Sequence, residues 1–284
     1  MIAKLLDGQV IAGDLEKGLK LRVEKLKSKQ CVPGLIVILV GEDPASQTYV
    51  QHKMLACERL GIHSITRRLP ADTTQEELEQ TIVDANNNNS IHGILVQLPL
   101  PQHLNSNKIL DLIAPEKDVD GFHDINIARL LRGLDCIAPC TPKGIVHMLK
   151  SANIPIAGAD IVVVGRSNIV GKPLAMLLLQ ENATVTMCHS YTKNLKAHTQ
   201  RADIVVVAIG KAKFITADMI KPGAVVIDAG INRVNGKLCG DVDFETVRQV
   251  ASYITPVPGG VGKMTIAMLM NNTIEVAEKV NQSS

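Results

Sequence analysis

Tyr49 and Lys53 lie one helical turn apart in YVQHKMLACERLG, with Ala56 and Leu60 continuing their face and Val50, Met54 and Cys57 forming the adjoining apolar stripe. A ring beside an amine can hold a planar ligand next to a proton-transfer group. Tyr–Lys pairs of this spacing also occur on ordinary surfaces, so the pair needs company. Gln97 provides some: it interrupts the apolar run ILVQLPLP just before Pro99, near the carboxyl end of its strand, where α/β proteins bind ligands. A satisfied edge amide would leave the same signature. The loop EKDVDG adds Asp118 and Asp120, either as reactive carboxylates or as solvated or capping acids.

A second locus is ADIVVVGRSNIVGKPLAMLL, residues 159–178. The β-branched run 161–164 reads as a strand buried on both faces. A glycine turn follows, then an apolar-periodic helix with Pro173 near its start. Strand, glycine turn and helix together set a helix N-terminus against a phosphate. The spacing is G-x-S-x-x-x-G (Gly165, Ser167, Gly171), not the usual G-x-G-x-x-G. The next strand, 184–188, ends in His189-Ser190-Tyr191-Thr192, without the Asp or Glu that binds the ribose hydroxyls of NAD. Arg166 lies in the turn and Lys193 follows close by. Cations and hydroxyls without an acid suit a 2′-phosphate, which favours NADP over NAD. The plain alternative for Arg166 is a solvated loop cation.

These residues need a scaffold of alternating elements. Leu15, Leu19, Val23 and Leu26 mark an amphipathic first helix. GLIVILVG (34–41) reads as a buried strand. Asp43-Pro44 supplies N-cap and N1 of a helix ending near Gly61. Thr74 and Glu77 have capping-box spacing, and the helix they open ends in the loop 86–89. The run 92–101 is the next strand, so the first part alternates α-β-α-β-α-β over a parallel sheet. Residues 115–142 change character: a loop, a short helix INIARLLRG, and a turn-rich APCTPKG. Strands are then expected at 160–164, 184–188, 203–208, 224–228 and 253–255. The expected fold is α/β with two lobes and a cleft between them: residues 1–120, on which a final helix 265–284 packs back, and a Rossmann-type NADP-binding lobe, 121–264.

Composition narrows the function. At 284 residues with 46% hydrophobic and 20% charged content the chain is globular. A net charge of +2, three Tyr, three Phe and no Trp give neither the basic footprint nor the stacking platforms of a nucleic-acid binder. No membrane span or secretory signal is visible, and a cytoplasmic location is expected. The six dispersed cysteines read as reduced thiols, and no His or Cys spacing suggests a metal. VPGGVGKMT imitates a phosphate loop, but Val257 stands where its first glycine belongs and Met264 where Ser or Thr should be. A P-loop-like protein is therefore disfavoured.

The runs GEDPASQTYVQHK, ILVQLPLP, PEKDVDGFH, PCTPKG, VVVGRSNIVGKP, DAGIN, GDVDF and TPVPGGVGKMT occur in that order between residues 41 and 265. Together they resemble the bifunctional methylenetetrahydrofolate dehydrogenase/cyclohydrolase family over essentially the whole chain. The resemblance implies a catalytic N-terminal lobe with Lys53 as catalytic lysine, Gln97 as the partner that positions and tunes it, Tyr49 packing on the folate, and Asp120 holding the pterin ring. It implies substrate contacts from Pro258, Gly259, Gly260 and Thr265, and NADP contacts from Gly165, Arg166, Ser167, Ser190 and Ile231. The implied reaction is NADP-dependent oxidation of 5,10-methylenetetrahydrofolate, then hydrolysis of the methenyl product to 10-formyltetrahydrofolate. The second step requires a lysine that is neutral part of the time, hence partly desolvated or near positive charge. Tetrahydrofolate derivatives are the expected partners, and a homodimer is implied. A dehydrogenase lacking the hydrolytic step remains as an alternative, whereas the intact Tyr49–Lys53–Gln97–Asp120 set argues against a catalytically silent nucleotide binder. The chain departs from the family pattern at Lys263, Tyr191, Asp124, Ala128 and Ala212; Tyr191 replaces the common basic residue there, a change expected to weaken 2′-phosphate binding.

Overall fold

The computed structural model describes residues 2–283. Along the chain run β1 (Lys4–Leu5), α1 (Gly8–Ser28), β2 (Gly34–Val40), α2 (Pro44–Leu60), β3 (His63–Leu69), α3 (Gln75–Asn87), β4 (Gly93–Val96), α4 (Ser106–Leu112), α5 (Asp124–Leu131), α6 (Cys140–Ser151) and β5 (Asp160–Val164). They are followed by α7 (Gly171–Gln180), β6 (Thr184–Cys188), α8 (Leu195–Thr199), β7 (Ile204–Val207), β8 (Val225–Asp228), β9 (Asn232–Val234), β10 (Lys237–Cys239), α9 (Phe244–Val247), β11 (Tyr253–Ile254) and α10 (Val261–Ser283).

Two compact units divide this chain: Met1–Gly13 with Thr141–Thr265, and Asp14–Cys140 with Ile266–Ser284. These borders differ from the expected 1–120 and 121–264 at two places. Residues 1–13 join the later unit because β1 pairs in parallel with β11. Residues 121–140 join the earlier one, tied down by Asn126 Nδ2, which donates to the Pro115 carbonyl (2.8 Å) and to Asp118 Oδ2 (3.0 Å).

The unit containing residues 14–140 holds a three-stranded parallel sheet in the order β3-β2-β4. Every residue of β2 and β4 is buried, and Ile38, Ile82, Ile94 and Ile109 knit the sheet to α3 and α4 in one core. The edge strand β3, HSITRRL, is half-exposed and was not placed by hydrophobic pattern. β4 is shorter than the expected 92–101 because Pro99 and Pro101 have no N–H to continue the ladder. The last helix belongs to this unit from Ile266 onward: Arg22 makes a bidentate pair with Glu278 (2.9 and 2.6 Å), and Asn272 Nδ2 donates to the carbonyls of Val119 and Ala138.

The other unit carries an all-parallel six-stranded sheet, β1-β11-β8-β7-β5-β6, and the antiparallel hairpin β9–β10. Counted from β5 the order is 2-1-3-4-5 with β1 added at the edge. Strand order therefore reverses between β5 and β7, where doubly wound sheets bind nucleotides. Val162 and Val164 of β5, Val205 and Val207 of β7 and Val226 of β8 line its core. α6 starts at Cys140 inside the stretch read as turn-rich; Pro142 lies in its first turn, where the missing N–H costs no helical bond.

Candidate active site

α2 is held at both ends. Asp43 accepts from the Ser46 N–H at 2.7 Å, Pro44 opens the helix, and Gly61 closes it in the left-handed region (φ 73°). Its buried side is Val50, Ala56, Cys57 and Leu60, so Ala56 and Leu60 turn inward instead of continuing the Tyr49–Lys53 face; burial pushes the Cys57 thiol up to about 12, so that residue packs as an apolar group. This fixes the outer face, where Tyr49 is 37% exposed and Lys53 is half-buried.

β4 delivers the partner. The Gln97 N–H extends the ladder to the Ile38 carbonyl (2.9 Å). Its side-chain Nε2 donates to the Leu98 carbonyl at 2.8 Å, which leaves Oε1 turned toward α2 to accept from Lys53 Nζ at 3.0 Å. The mid-run glutamine is thus an oriented acceptor for the lysine.

The loop between α4 and α5 supplies two acids with different work. Asp118 is buried and gathers the loop: its carboxylate accepts from the N–H groups of Gly121 (3.1 Å) and His123 (2.8 Å) and from Asn126. Gly121 has φ +75°, and a Cβ there would meet Pro139 N at 2.6 Å, so only glycine makes this turn. His123 caps α5, its Nδ1 accepting from the Ile125 N–H. The next loop residue inward, Val119, is fully buried against Gly93, where a Cβ would meet Val119 Cγ1 at 2.7 Å. Asp120 follows, and burial raises its pKa; the positive charge of Lys53 opposes that rise, Asp118 adds to it, and a hydrogen bond from the Cys140 thiol again opposes it. Lys53, Gln97 and Asp120 are therefore brought together. Of the two expected settings for the lysine, partial desolvation or a nearby cation, the half-buried position matches the first, and the charge coupled to it is an acid. An amine held by an amide and coupled to a carboxyl of raised pKa can relay protons.

The nucleotide turn lies in the other unit. Gly165 (φ +129°) donates its N–H to the Cys188 carbonyl, and a Cβ there would lie 2.2 Å from the Ala208 carbonyl oxygen. A Cβ on Gly171 would lie 2.3 Å from the Gly165 carbonyl oxygen. The two glycines thus let β5 turn sharply at the reversal of strand order and let α7 start against it. The Ser167 hydroxyl closes the turn, accepting from the N–H groups of Val170 (3.2 Å) and Gly171 (3.4 Å). At the tip of β6, the His189 N–H donates to Thr192 Oγ1 (2.8 Å) and the Tyr191 N–H to His189 Nδ1 (3.2 Å); Ser190 is exposed there. The Arg166 guanidinium lies over the Tyr191 ring, 5.6 Å from its centroid, so the turn and the strand tip meet. A dinucleotide with an extra phosphate fits this set: close backbone at the turn, an arginine and a hydroxyl at the tip, and no carboxylate.

Two buried acids, absent from the sequence-predicted site, organise the carboxyl end of the same sheet. Asp241 accepts from three successive N–H groups, Ile209 (2.7 Å), Gly210 (2.9 Å) and Lys211 (2.8 Å), and from Asn232 Nδ2 (2.9 Å). Asp228 accepts from the N–H groups of Gly230, Asp241 and Val242; burial, against those bonds, raises its pKa to about 6. Their only trace in the sequence is DAGIN and GDVDF, whose glycines leave room: a Cβ on Gly240 would fall 1.8 Å from Asp228 Oδ2. Ile231, between them, is exposed and sits over Gly262 at the start of α10. In the loop before α10, Gly259 (φ +106°) accepts from the Gln9 N–H, Pro258 is exposed, and Gly260 is buried. Thr265 Oγ1 lies 2.9 Å from Thr141 Oγ1. Lys263 is exposed in the first turn of α10. Among the described residues no group of three His, Cys, Asp or Glu side chains could hold a metal ion, and no helix is long and apolar enough to cross a membrane.

Known proteins share this arrangement end to end. Residues 6–120 match the family model of the tetrahydrofolate dehydrogenase/cyclohydrolase catalytic domain, and residues 139–281 match that of the NAD(P)-binding domain of the same family. The bifunctional protein FolD of Halalkalibacterium halodurans is 58% identical over 279 residues, 98% of this chain and 100% of that protein. The crystal structure of the bifunctional FolD enzyme of Campylobacter jejuni superposes with a TM-score of 0.96 at 49% identity, covering 98% of this chain and 99% of that one. The FolD of Trypanosoma brucei, complexed with NADP cofactor and an inhibitor, superposes at 0.94 with 38% identity and 99% coverage of both chains. The chain belongs to the tetrahydrofolate dehydrogenase/cyclohydrolase family.

Proposed function

We propose that this chain oxidises 5,10-methylenetetrahydrofolate with NADP⁺ and hydrolyses the methenyl product to 10-formyltetrahydrofolate. The contact that carries this reading is Lys53 Nζ on Gln97 Oε1 at 3.0 Å, with Asp120 electrostatically coupled to the same amine. In this reading the unit Asp14–Cys140 with Ile266–Ser284 holds the folate, and the unit Met1–Gly13 with Thr141–Thr265 holds the cofactor.

When bound, NADP⁺ supplies the two-electron acceptor. The chain's own residues bind and position. Tyr49 offers its exposed ring to the pterin, and Asp120 accepts from the aminopyrimidinone edge. Arg166 and Ser190 take the 2′-phosphate, while Gly165, Ser167 and Ile231 line the remaining cofactor path. In hydrolysis Lys53 Nζ takes a proton from the attacking water and returns it as the ring opens, with Gln97 fixing the amine's direction. The family resemblance also supports a homodimer in the cytoplasm.

The test is an absorbance assay with methylenetetrahydrofolate that follows appearance and decay of the methenyl product. Lys53→Met should slow decay by about 10² to 10⁴-fold, the usual worth of a positioned proton-transfer group, while NADP⁺ binding persists. Unchanged decay in that variant would remove the lysine from the mechanism.

A further inference from the structure

Tyr191 is 80% exposed, so its ring contributes little to any core. Its backbone is nevertheless pinned: the Tyr191 N–H donates to His189 Nδ1 (3.2 Å), the His189 N–H to Thr192 Oγ1 (2.8 Å) and the Thr192 N–H to the His189 carbonyl (2.9 Å). The His189 ring meets the Tyr191 ring edge-on, at 6.2 Å between centroids and 68° between planes. This braced ring presents a face to the Arg166 guanidinium at 5.6 Å, within the range of a cation–π contact. Arg166 projects from the glycine turn into solvent, and an unbraced arginine gives up much rotamer freedom each time it binds an anion.

We propose that Tyr191 is a positioning residue for cofactor choice: its ring holds the Arg166 guanidinium at the tip of β6, ready for a 2′-phosphate. The proposal rests on the assignment of that phosphate to Arg166. It turns a position that departs from the family's basic pattern into a working part of the site. Tyr191 adds no charge of its own; it lowers the ordering cost of the charge already there. A ring face suffices for this, so the phenol hydroxyl is dispensable.

The experiment measures KM and kcat with NADP⁺ and with NAD⁺ for wild type, Tyr191→Ala, Tyr191→Phe, Arg166→Ala and the double alanine variant. Tyr191→Ala should raise KM for NADP⁺ about two- to fivefold, the worth of an exposed cation–π contact. KM for NAD⁺ and kcat should stay put, Tyr191→Phe should restore the wild-type KM, and the double variant should add nothing to Arg166→Ala. Equal rises for both cofactors in Tyr191→Ala would overturn the proposal, because the ring would then serve the shared part of the dinucleotide or the fold. A selective effect of Arg166→Ala with none of Tyr191→Ala would overturn it and leave the phosphate assignment standing. Equal effects of Arg166→Ala on both cofactors would overturn both.

Discussion

The molecule contains two pairs of neighbouring acids, and they do opposite work. Asp228 and Asp241 are both saturated: between them they accept from six backbone N–H groups and one side-chain amide, all from loops at the carboxyl end of one sheet. Asp118 and Asp120 divide the labour. Asp118 is satisfied by its own loop, while Asp120 takes a hydrogen bond from the Cys140 thiol, is electrostatically coupled to Lys53 and carries a pKa raised by burial. A buried carboxylate fully supplied with donors is architecture, whereas the one coupled to an amine is the one proposed to do chemistry. Both units place a saturated acid next to a proposed site residue: Asp118 shapes the turn that presents Asp120, and Asp241 and Asp228 shape the loops around Ile231.

The largest expected effect of breaking the architectural pair is at Asp241. Asp241→Ala strands three backbone N–H groups and the Asn232 amide, and a buried group left without its partners costs about 3 kcal/mol or more. Thermal unfolding should shift down by roughly 5–10 °C, with loss of cofactor binding. A Tm within a degree of wild type would show that solvent replaces the carboxylate freely. Asp228 has a smaller, pH-dependent effect. Its pKa rises from 3.8 to about 6 on folding, so the folded state binds the proton more tightly than the unfolded one. The stabilisation is complete below the unfolded value and is lost as pH rises through about 6, up to about 3 kcal/mol in all. Urea unfolding of wild type and Asp228→Asn at pH 4 and pH 7 isolates it: the difference between the two proteins should change by up to that amount, and a constant difference would remove the pKa shift.

Much of this was legible in the sequence for local reasons. Asp43-Pro44 and Gly61 bracket α2, the Thr74–Glu77 box caps α3 as its spacing demands, and apolar runs mark β2, β5, β7 and β8. Gln97 was visible because an amide in an apolar run is out of place. What escaped notice depends on partners distant in the chain. Asp241 gathers N–H groups some 30 residues away, and no spacing rule links a carboxylate to a loop that far off. β1 is two residues long and exists only through pairing with β11. β3 carries its polar residues on an exposed edge, where neither alternation nor an apolar run survives. Asp118 and Asp120 are indistinguishable as letters; only the donors around each separate them.

The direct test of that separation is Asp120→Asn, measured for both turnover and thermal unfolding. Because burial disfavours the Asp120 charge, removing it should leave Tm unchanged or higher while turnover of methylenetetrahydrofolate falls at least about tenfold, the loss expected for a hydrogen bond to a charged group. A Tm lowered by several degrees with turnover retained would make Asp120 a second architectural acid and contradict the division drawn between the two pairs.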